Sequence, residues 1–202
     1  MQNAALILCG GFSERMGRDK ASLPFGDETM LERIAAVVQP CVDEVHLVAR
    51  EGQEIPSNAK LGLPVARDPA EGNGPLAGLA AGLRAITPER AFVVSCDVPL
   101  LEADLVRGLF ATCKNHRAVI PRIDGHFMTT CAVYSKTLVE EIDQMLLAGE
   151  RRPRAIAQLD NVLTLDEHDV RAFDPNLRSF VDCNTRERLE EALEMAGLSS
   201  HG

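Results

Sequence analysis

The chain has 202 residues, 46% of them apolar, and a formal net charge of -9 at pH 7. This length suits a single α/β domain with one sizeable core. The acidic balance argues against general binding to nucleic acid or to an anionic membrane surface, and the absence of Trp with a single Tyr leaves no stacking platform for single-stranded nucleic acid.

The first predicted element is a buried strand over residues 4–9, and a glycine pair follows it. Gly10 and Gly11 carry no side chains where the strand ends, so backbone N–H groups there can approach a ligand closely. Three cations follow in the same short loop: Arg15, Arg18 and Lys20. Glycines and cations after a strand are typical of a phosphate cradle, although the spacing also fits an exposed, positively charged surface loop.

Helices and strands then alternate along the chain. A helix over 28–39 ends before Pro40 and a strand over 44–49 follows, which is the βαβ signature of a parallel sheet. Further strands are predicted over 63–66, 91–96, 118–121, 129–134 and 162–165. Further helices are predicted over 75–86, 102–112, 135–148, 150–159 and 185–196. The pattern predicts an α/β, three-layer Rossmann-like fold with a mostly parallel sheet and helices on both faces, in one domain over 1–202.

The helix that begins near Pro75 contains glycines in its interior. Each such glycine costs about 1 kcal/mol relative to Ala, so something must lie close to this face of the helix. We assign Gly82 to tight packing of the helix on the sheet. For Gly74 and Gly78, a ligand near the helix start and simple packing both stay open.

The six cysteines show no CxxC pair, and three of them lie in apolar, strand-like runs: Cys9, Cys96 and Cys131. Buried free thiols predict a reducing compartment. No signal-peptide pattern precedes Gly10, and no segment approaches the roughly 20 apolar residues of a membrane span. We therefore expect a cytoplasmic protein.

Three predicted strands end in residues suited to a nucleotide site. The first ends at Gly10-Gly11, a later one at Asp68, and another at Asp97. Because ligands of open α/β sheets bind outside the carboxyl ends of the strands, these residues should share one edge. A carboxylate near a phosphate needs a bridging cation, so we predict that Asp97 binds Mg²⁺, although it also suits the turn before Pro99. Asp68 fits a ribose, base or metal contact, or a turn before the next proline.

Several common catalytic signatures do not occur in the sequence. There is no HExxH zinc motif, GxSxG nucleophile elbow, GxxxxGK[ST] loop or GxGxxG fingerprint. The remaining pattern favours phosphate chemistry catalysed by position and charge, without a covalent nucleophile.

The opening segment LILCGGFSERMGRDKASLPFG resembles the signature of the molybdenum cofactor guanylyltransferases, within the nucleotidyltransferase superfamily. The family pattern LAGGxSxRMGxDKxLL is matched at Gly10, Gly11, Ser13, Arg15, Met16, Gly17, Asp19 and Lys20, while Cys9 replaces an Ala. Further similar segments occur in family order at 74–78, 95–99, 149–152 and 180–185. The resemblance implies a nucleotide-diphospho-sugar transferase-like fold, with a nucleotide-binding part over about 1–100 and an acceptor-binding part over about 101–198.

This resemblance also implies an activity: transfer of GMP from GTP to the terminal phosphate of molybdopterin, using Mg²⁺ and releasing pyrophosphate. The implied nucleotide contacts are Leu8, Cys9, Gly10, Gly11, Lys20, Asp68 and Asp97. The implied catalytic residues are Arg15, Lys20 and Asp97, with Asp97 as the metal ligand. The implied pterin-side residues are Arg151, Arg152, Asp182 and Asn184. Asp182 departs from the family pattern, which has asparagine there, and the arginines also suit a solvated helix start.

Two other classes of function stay open. A relative of the same fold would use CTP on molybdopterin or act on a sugar phosphate, but Cys9-Gly10-Gly11 and Asp19-Lys20 favour guanine over an AAG-type opening. A non-catalytic adaptor would bind the nucleotide or cofactor without needing the metal carboxylate Asp97. Molybdoenzyme apoproteins or cofactor-delivery proteins are the implied protein partners.

Overall fold

The computed structural model describes residues 2–9, 12–13, 18–68 and 74–198, with the backbone alone at 12–13 and 18–19. Their strands are β1 (Ala4–Leu8), β2 (Phe12–Ser13), β3 (Arg18–Asp19), β4 (Pro24–Phe25), β5 (Glu28–Thr29), β6 (Glu44–Arg50), β7 (Val65–Asp68), β8 (Arg90–Ser95), β9 (Ala118–Ile123), β10 (His126–Phe127), β11 (Cys131–Ser135) and β12 (Val162–Asp166). Their α-helices are α1 (Met30–Val38), α2 (Asn58–Leu61), α3 (Gly74–Ala85), α4 (Ala103–Thr112), α5 (Val139–Leu147), α6 (Glu167–Val170) and α7 (Arg186–Met195).

The main sheet has the strand order β10-β9-β11-β8-β1-β6-β7, and β12 also pairs with β9. The pairs β1·β6, β1·β8, β6·β7 and β12·β9 are parallel. Strand β11 lies antiparallel between β8 and β9, and β10 is antiparallel to β9. The predicted α/β class with a mostly parallel sheet is confirmed.

Alternate residues of β1 face opposite cores, because successive side chains of a strand point to opposite faces. Ala5 and Ile7 belong to one cluster of buried side chains, which α1 and α4 complete with Leu31, Ile34, Leu105 and Leu109. Ala4 and Leu6 belong to a second cluster, which α3 and α5 complete with Leu76, Leu79, Leu83 and Ile142. The predicted layers of helices on both faces of the sheet are therefore present.

A third, smaller cluster joins the two ends of the chain. Its members are Leu23, Phe25, Met30, Leu100, Cys183, Ala192 and Leu193, with Leu198 packed against them. The position of a Cβ on Gly26 would lie 3.0 Å from Leu198 Cδ1. Helix α7 is therefore held against the loop that begins at Lys20.

Most predicted elements lie within a few residues of their observed bounds, and the differences have local causes. The predicted helix 28–39 begins at Met30, because the Thr29 hydroxyl accepts a hydrogen bond from Glu32 N and the Glu32 carboxylate accepts one from Thr29 N, a capping box. The predicted strand 63–66 begins at Val65. The N–H and carbonyl of Leu63 are both bonded to the Asn58 side chain and are not used by the sheet.

The predicted helix 150–159 is wrong as an α-helix, since only a 3-10 helix over Pro153–Gln158 forms there. Another 3-10 helix, Lys136–Leu138, replaces the first turn of the predicted helix 135–148. Short elements that the sequence patterns did not predict are β2, β3, β4, β5, β10, α2 and α6. Elements this short carry too few residues for a periodic pattern.

Gly82 and Gly78, on the same helix, have different surroundings. A Cβ on Gly82 would lie 2.7 Å from Leu6 Cδ1 and 2.9 Å from Val48 Cγ2, so the predicted tight packing of α3 on the sheet is present. A Cβ on Gly78 would make only ordinary contact, 3.6 Å from Val48 Cγ1. Gly74 has a φ of +68°, and its Cβ would lie 3.2 Å from the Arg151 carbonyl oxygen. Protein packing and backbone conformation thus account for glycine at 74 and 82.

All six cysteines are free thiols, and Cys9, Cys96 and Cys131 are buried as predicted. Within the described ranges, no helix combines the length and hydrophobicity that crossing a membrane requires.

Candidate active site

The carboxyl ends of β1 and β8 lie side by side. Leu8 pairs in register with Ser95 and with Val48 of β6. Beyond β1 and β8, Cys9 N donates to Val48 O at 2.8 Å and Cys96 N donates to Leu8 O at 3.1 Å. These bonds place Asp97, the next residue after Cys96, at the edge of the sheet where β1 ends.

Lys20 and Asp97 form an ion pair at this edge. Lys20 opens a 3-10 helix over Lys20–Ser22, and its Nζ lies 2.8 Å from Asp97 Oδ2. Their side chains keep 15% and 12% of their surface exposed, so the pair is largely shielded from solvent but reachable by a ligand. Two residues predicted for the nucleotide site, from segments far apart in sequence, are therefore in contact.

Asn184 joins this pair from the far end of the chain. Its side-chain Oδ1 accepts a hydrogen bond from Lys20 Nζ. Its Nδ2 donates to Asp182 Oδ1 at 2.7 Å, and Arg188 Nη1 lies 3.6 Å from Asp182 Oδ2. Asn184, predicted for the pterin side, therefore contacts the predicted nucleotide-binding lysine directly, and Asp182 is linked to that lysine through Asn184.

Cys183, between those two residues, anchors the segment. Its N–H donates to the Asp97 carbonyl at 2.8 Å, and its side chain is fully buried. Burial, together with the nearby carboxylates of Asp97 and Asp182, raises the pKa of the Cys183 thiol to about 12. The thiol therefore stays protonated and serves as a buried apolar group rather than a nucleophile.

Asp68 lies at the same edge but farther along the sheet. It is the last residue of β7, is 9% exposed, and its carbonyl accepts a hydrogen bond from Glu51 N at 3.0 Å. Strands β6 and β1 separate β7 from β8, so with about 4.8 Å between strands the two strands lie roughly 14 Å apart. That spacing is too wide for Asp68 and Asp97 to ligate one metal ion.

The arginines predicted for the pterin side have partners of their own. Arg151 Nη1 donates to the Leu146 carbonyl at 2.7 Å, near the end of α5. Arg152 Nε lies 2.9 Å from a Glu150 carboxylate oxygen, and the guanidinium of Arg152 lowers the pKa of Glu150 to about 2. The backbone contact between Arg151 and Gly74 brings this segment beside the start of α3.

Three predicted site residues lie outside the described residues: Gly10, Gly11 and Arg15. Sequence reasoning missed Gln53, whose Nε2 donates to the Cys9 carbonyl at 2.8 Å, and Arg188. Neither lies in a segment that matched the family pattern. The predicted side chains that the structure brings into contact are Lys20, Asp97, Asn184 and Asp182.

Comparison with known proteins places this geometry in a family. The model of the MobA-like NTP transferase domain matches residues 5–167. The chain belongs to the MobA-like NTP transferase family. A protein of Methanosarcina mazei named probable molybdenum cofactor guanylyltransferase is 36% identical, covering 94% of this chain and 89% of its own. A protein of the same name from Pelotomaculum thermopropionicum is 32% identical, covering 100% and 97%.

Solved structures of other proteins share the fold of this chain. The molybdopterin-guanine dinucleotide biosynthesis protein A of Archaeoglobus fulgidus superposes with a TM-score of 0.83 at 24% identity, covering 96% of this chain and 98% of its own. The 2-C-methyl-D-erythritol 4-phosphate cytidylyltransferase of Thermus thermophilus gives a TM-score of 0.72 at 17% identity, covering 98% and 100%. The predicted resemblance, the nucleotide-diphospho-sugar transferase-like fold and the assignment as a nucleotidyltransferase are confirmed.

MobA-like nucleotidyltransferases generally use a divalent metal, and the donors at the strand ends fit one. In the part of the chain that the structure describes, no three His, Cys, Asp or Glu side chains are grouped to hold a metal ion. Mg²⁺ does not need such a group, because it is commonly bound by one or two carboxylates together with substrate phosphates. Asp97, a carboxylate at the edge of the sheet, suits this partial donor set.

A cavity of about 350 Å³ lies elsewhere, between α1, α4 and the chain that follows Asp97. Its lining includes Arg33, Val37, Leu100, Leu101, Arg107 and Arg178. None of the predicted site residues that the structure describes lines it. The ion pair of Lys20 and Asp97, rather than this cavity, therefore marks the candidate active site.

Proposed function

We propose that this chain transfers GMP from GTP to the terminal phosphate of molybdopterin and releases pyrophosphate. The observation that carries the proposal is the contact of Lys20 with Asp97 and Asn184 at the carboxyl edge of the sheet. The names of the relatives support the substrates, and the matched opening motif supports guanine as the base.

The proposed reaction joins two anions. An oxygen of the acceptor phosphate forms a bond to the α-phosphorus of GTP, and the bond from that phosphorus to the bridging oxygen breaks, so pyrophosphate leaves with the electron pair. A phosphate monoester has a second pKa of ~6, so the attacking oxygen is already ionised at neutral pH. No general base is required, which agrees with a motif pattern that lacks a catalytic histidine.

The protein supplies cationic groups and fixed positions. Lys20 Nζ donates to two acceptors of the protein, Asp97 Oδ2 and Asn184 Oδ1. An ammonium has three N–H donors, so its third is assigned to a nucleotide phosphate. Arg15 is proposed to hold the phosphates from the opening loop. Preorganised positive charge of this kind stabilises the charge that develops on the transferring and leaving groups.

Mg²⁺ is the metal that we propose for this site, with Asp97 as its protein ligand. When bound, the ion neutralises phosphate charge and orients the phosphates for in-line displacement. Asp97 is held in place from two sides, by Lys20 at its side chain and by Cys183 at its backbone carbonyl.

The remaining predicted contacts extend this proposal. The strand spacing favours Asp68 as a contact to the nucleoside rather than a metal ligand. The chain around Leu8, Cys9, Gly10 and Gly11 is proposed to meet the guanine nucleotide through its backbone. The pterin side is proposed to involve Arg151, Arg152, Asp182 and Asn184.

The proposal also covers how the substrate contacts are divided along the chain, where the protein is located and which proteins it meets. Residues 1–100 would supply most of the nucleotide contacts and 101–198 most of the acceptor contacts, within one domain. A cytoplasmic location is proposed, with molybdoenzyme apoproteins or cofactor-delivery proteins as partners.

Pyrophosphate release, measured for each nucleoside triphosphate with and without molybdopterin and Mg²⁺, tests the proposal. We expect release with GTP only when molybdopterin and the metal are both present. Release with CTP alone would replace the guanine assignment by the cytidylyl alternative. Binding of GTP without release under any condition would favour the non-catalytic adaptor.

A further inference from the structure

The segment at 182–184 carries a chain of hydrogen bonds that ends on Lys20. Asp182 Oδ1 accepts from Asn184 Nδ2 at 2.7 Å and from Asn184 N at 3.3 Å. The other end of the Asn184 amide, Oδ1, accepts from Lys20 Nζ. We propose that Asp182 is a positioning residue, which fixes the orientation of the Asn184 amide and through it the place of the Lys20 ammonium. This inference rests on the proposed function for the role of Lys20 towards the nucleotide.

The orientation of the Asn184 amide follows from which of its neighbours donate hydrogen bonds and which accept them. An ionised carboxylate only accepts hydrogen bonds, and an ammonium only donates them. The amide of Asn184 lies between one of each, so its NH₂ must face Asp182 and its carbonyl oxygen must face Lys20. Both ends are charge-assisted bonds, which are stronger than bonds between neutral groups. The opposite orientation would set the amide NH₂ against the ammonium.

An asparagine at 182 would not impose this orientation. Its amide has a donor end and an acceptor end, so it can satisfy the Asn184 side chain in either orientation. The carboxylate of Asp182 only accepts, so it removes that ambiguity. Asp182 therefore presents the Asn184 carbonyl oxygen to Lys20.

The surroundings hold Asp182 and Asn184 in place. Arg188 Nη1 lies 3.6 Å from Asp182 Oδ2, and it is the cation that faces this carboxylate from α7. The N–H of Arg188 donates to the Thr185 hydroxyl, which caps α7. On the other side, Cys183 N is bonded to the Asp97 carbonyl. The segment is thus pinned to both the helix and the loop that carries the second acceptor of Lys20.

Binding of GTP with Mg²⁺ in the absence of any pterin separates this role from a pterin contact. We expect Asp182→Ala to raise the dissociation constant about fivefold, the effect of losing roughly one ordinary hydrogen bond. The same substitution in a Lys20→Met background should have no further effect. Arg186→Ala is the matched control. Arg186 lies four residues after Asp182, at the start of α7, and its exposed side chain pairs with Glu190 of that helix.

Two results would overturn the inference. One is unchanged GTP binding by Asp182→Ala while the wild type binds GTP. The other is an equal loss from Asp182→Ala in the presence and absence of the Lys20 side chain. If the wild type binds no GTP, that result contradicts the proposed function instead. The positioning role of Asp182 is then tested by a measurement that needs no nucleotide.

That measurement is the rate at which an amine-acylating reagent modifies Lys20 in the free protein, followed by peptide mass spectrometry. Loss of a fixed acceptor leaves the Lys20 amine less restrained and more accessible to the reagent, so we expect modification several-fold faster in Asp182→Ala and Asn184→Ala. Asp182→Asn should fall between Asp182→Ala and the wild type, because its carbonyl still accepts from Asn184. Wild-type rates in both alanine variants, with Lys114 as the internal reference, would contradict the positioning role.

Discussion

At the scale of single residues, the candidate site is organised around the ammonium of Lys20. Lys20 contacts one carboxylate, Asp97, and one amide, Asn184, from two other parts of the chain. The carboxylate is also the proposed metal ligand. The Lys20 ammonium therefore lies next to the Asp97 carboxylate that a metal ion would use. The ammonium and the metal ion must then both fit around the phosphates of the nucleotide.

Lys20→Ala should lower kcat and raise the KM for GTP together, with kcat/KM falling about 10²- to 10³-fold. The reason is that a preorganised cation stabilises charge both in the bound nucleotide and in the transition state. Steady-state pyrophosphate release measures both constants. Lys114→Ala, at an exposed lysine, is the control and should keep wild-type values. Wild-type turnover in Lys20→Ala would remove Lys20 from the mechanism.

At the scale of secondary-structure elements, helices α3 and α1 support the strands and the loop that hold the candidate site. Helix α3 packs against β1 and β6 through Gly82, and α1 follows the Lys20 loop with a capping box at its start. Both contacts involve specific atoms rather than general burial. Each therefore gives a prediction with a matched variant.

Gly82→Ala should destabilise the protein by up to about 2 kcal/mol, since overpacking costs about 1–3 kcal/mol and the gain in helix propensity returns about 1. Its Cβ would lie 2.7 Å from Leu6 Cδ1 and 2.9 Å from Val48 Cγ2. Gly78→Ala on the same helix should be neutral or stabilising, because its Cβ has room. Urea unfolding of both variants provides the comparison. Equal stability of the two would contradict the packing of α3.

Glu32→Gln should destabilise the protein at neutral pH, with a deficit that shrinks in acid. Lys60 and then the Thr29 N–H lower the pKa of Glu32 from 4.5 to about 2. A carboxylate with a lowered folded-state pKa stabilises fully above its unfolded pKa and loses that contribution as the pH falls towards the folded one. The difference from the wild type should therefore narrow between pH 4.5 and about 2.

Thermal unfolding as a function of pH measures this difference. Lys60→Met removes the first cause of the lowered pKa and should reproduce part of the deficit over the same range. A deficit that stays constant across the window would show that the charge of Glu32 does not stabilise the start of α1.

At the scale of the whole molecule, the two halves of the chain share one sheet. Strand β11 from the second half lies between β8 and β9, and the third cluster joins Phe25 and Met30 to Ala192 and Leu193. A fragment of residues 1–100, the proposed nucleotide-binding part, would leave β8 as an edge strand without β11 and Phe25 without the side chains of α7. We therefore expect a fragment of residues 1–100 to be unfolded in circular dichroism and amide NMR spectra. The full chain should unfold in a single transition, and a folded fragment would contradict this view.

Much of this arrangement was predictable from local patterns. The apolar runs predicted the parallel strands, and the βαβ order predicted that Asp97 and the opening loop share an edge. The contact of Asn184 with Lys20 was not predictable, because it joins residues 164 apart through amide orientation rather than through a periodic pattern. Likewise, the antiparallel position of β11 depends on the hairpin after β9. Leu63 does not join the predicted strand, because its backbone bonds to the side chain of Asn58.

The long separation between Lys20 and Asn184 also bears on how the protein is made. During synthesis Lys20 leaves the ribosome long before its acceptor Asn184, which follows 164 residues later. Strands β1, β6, β7 and β8 can pair before then, since domains form from the N-terminus onward during translation. The contact between Lys20 and Asn184 forms only after residue 184 has been made. A nascent chain can thus have most of its parallel sheet while its proposed nucleotide site is still incomplete.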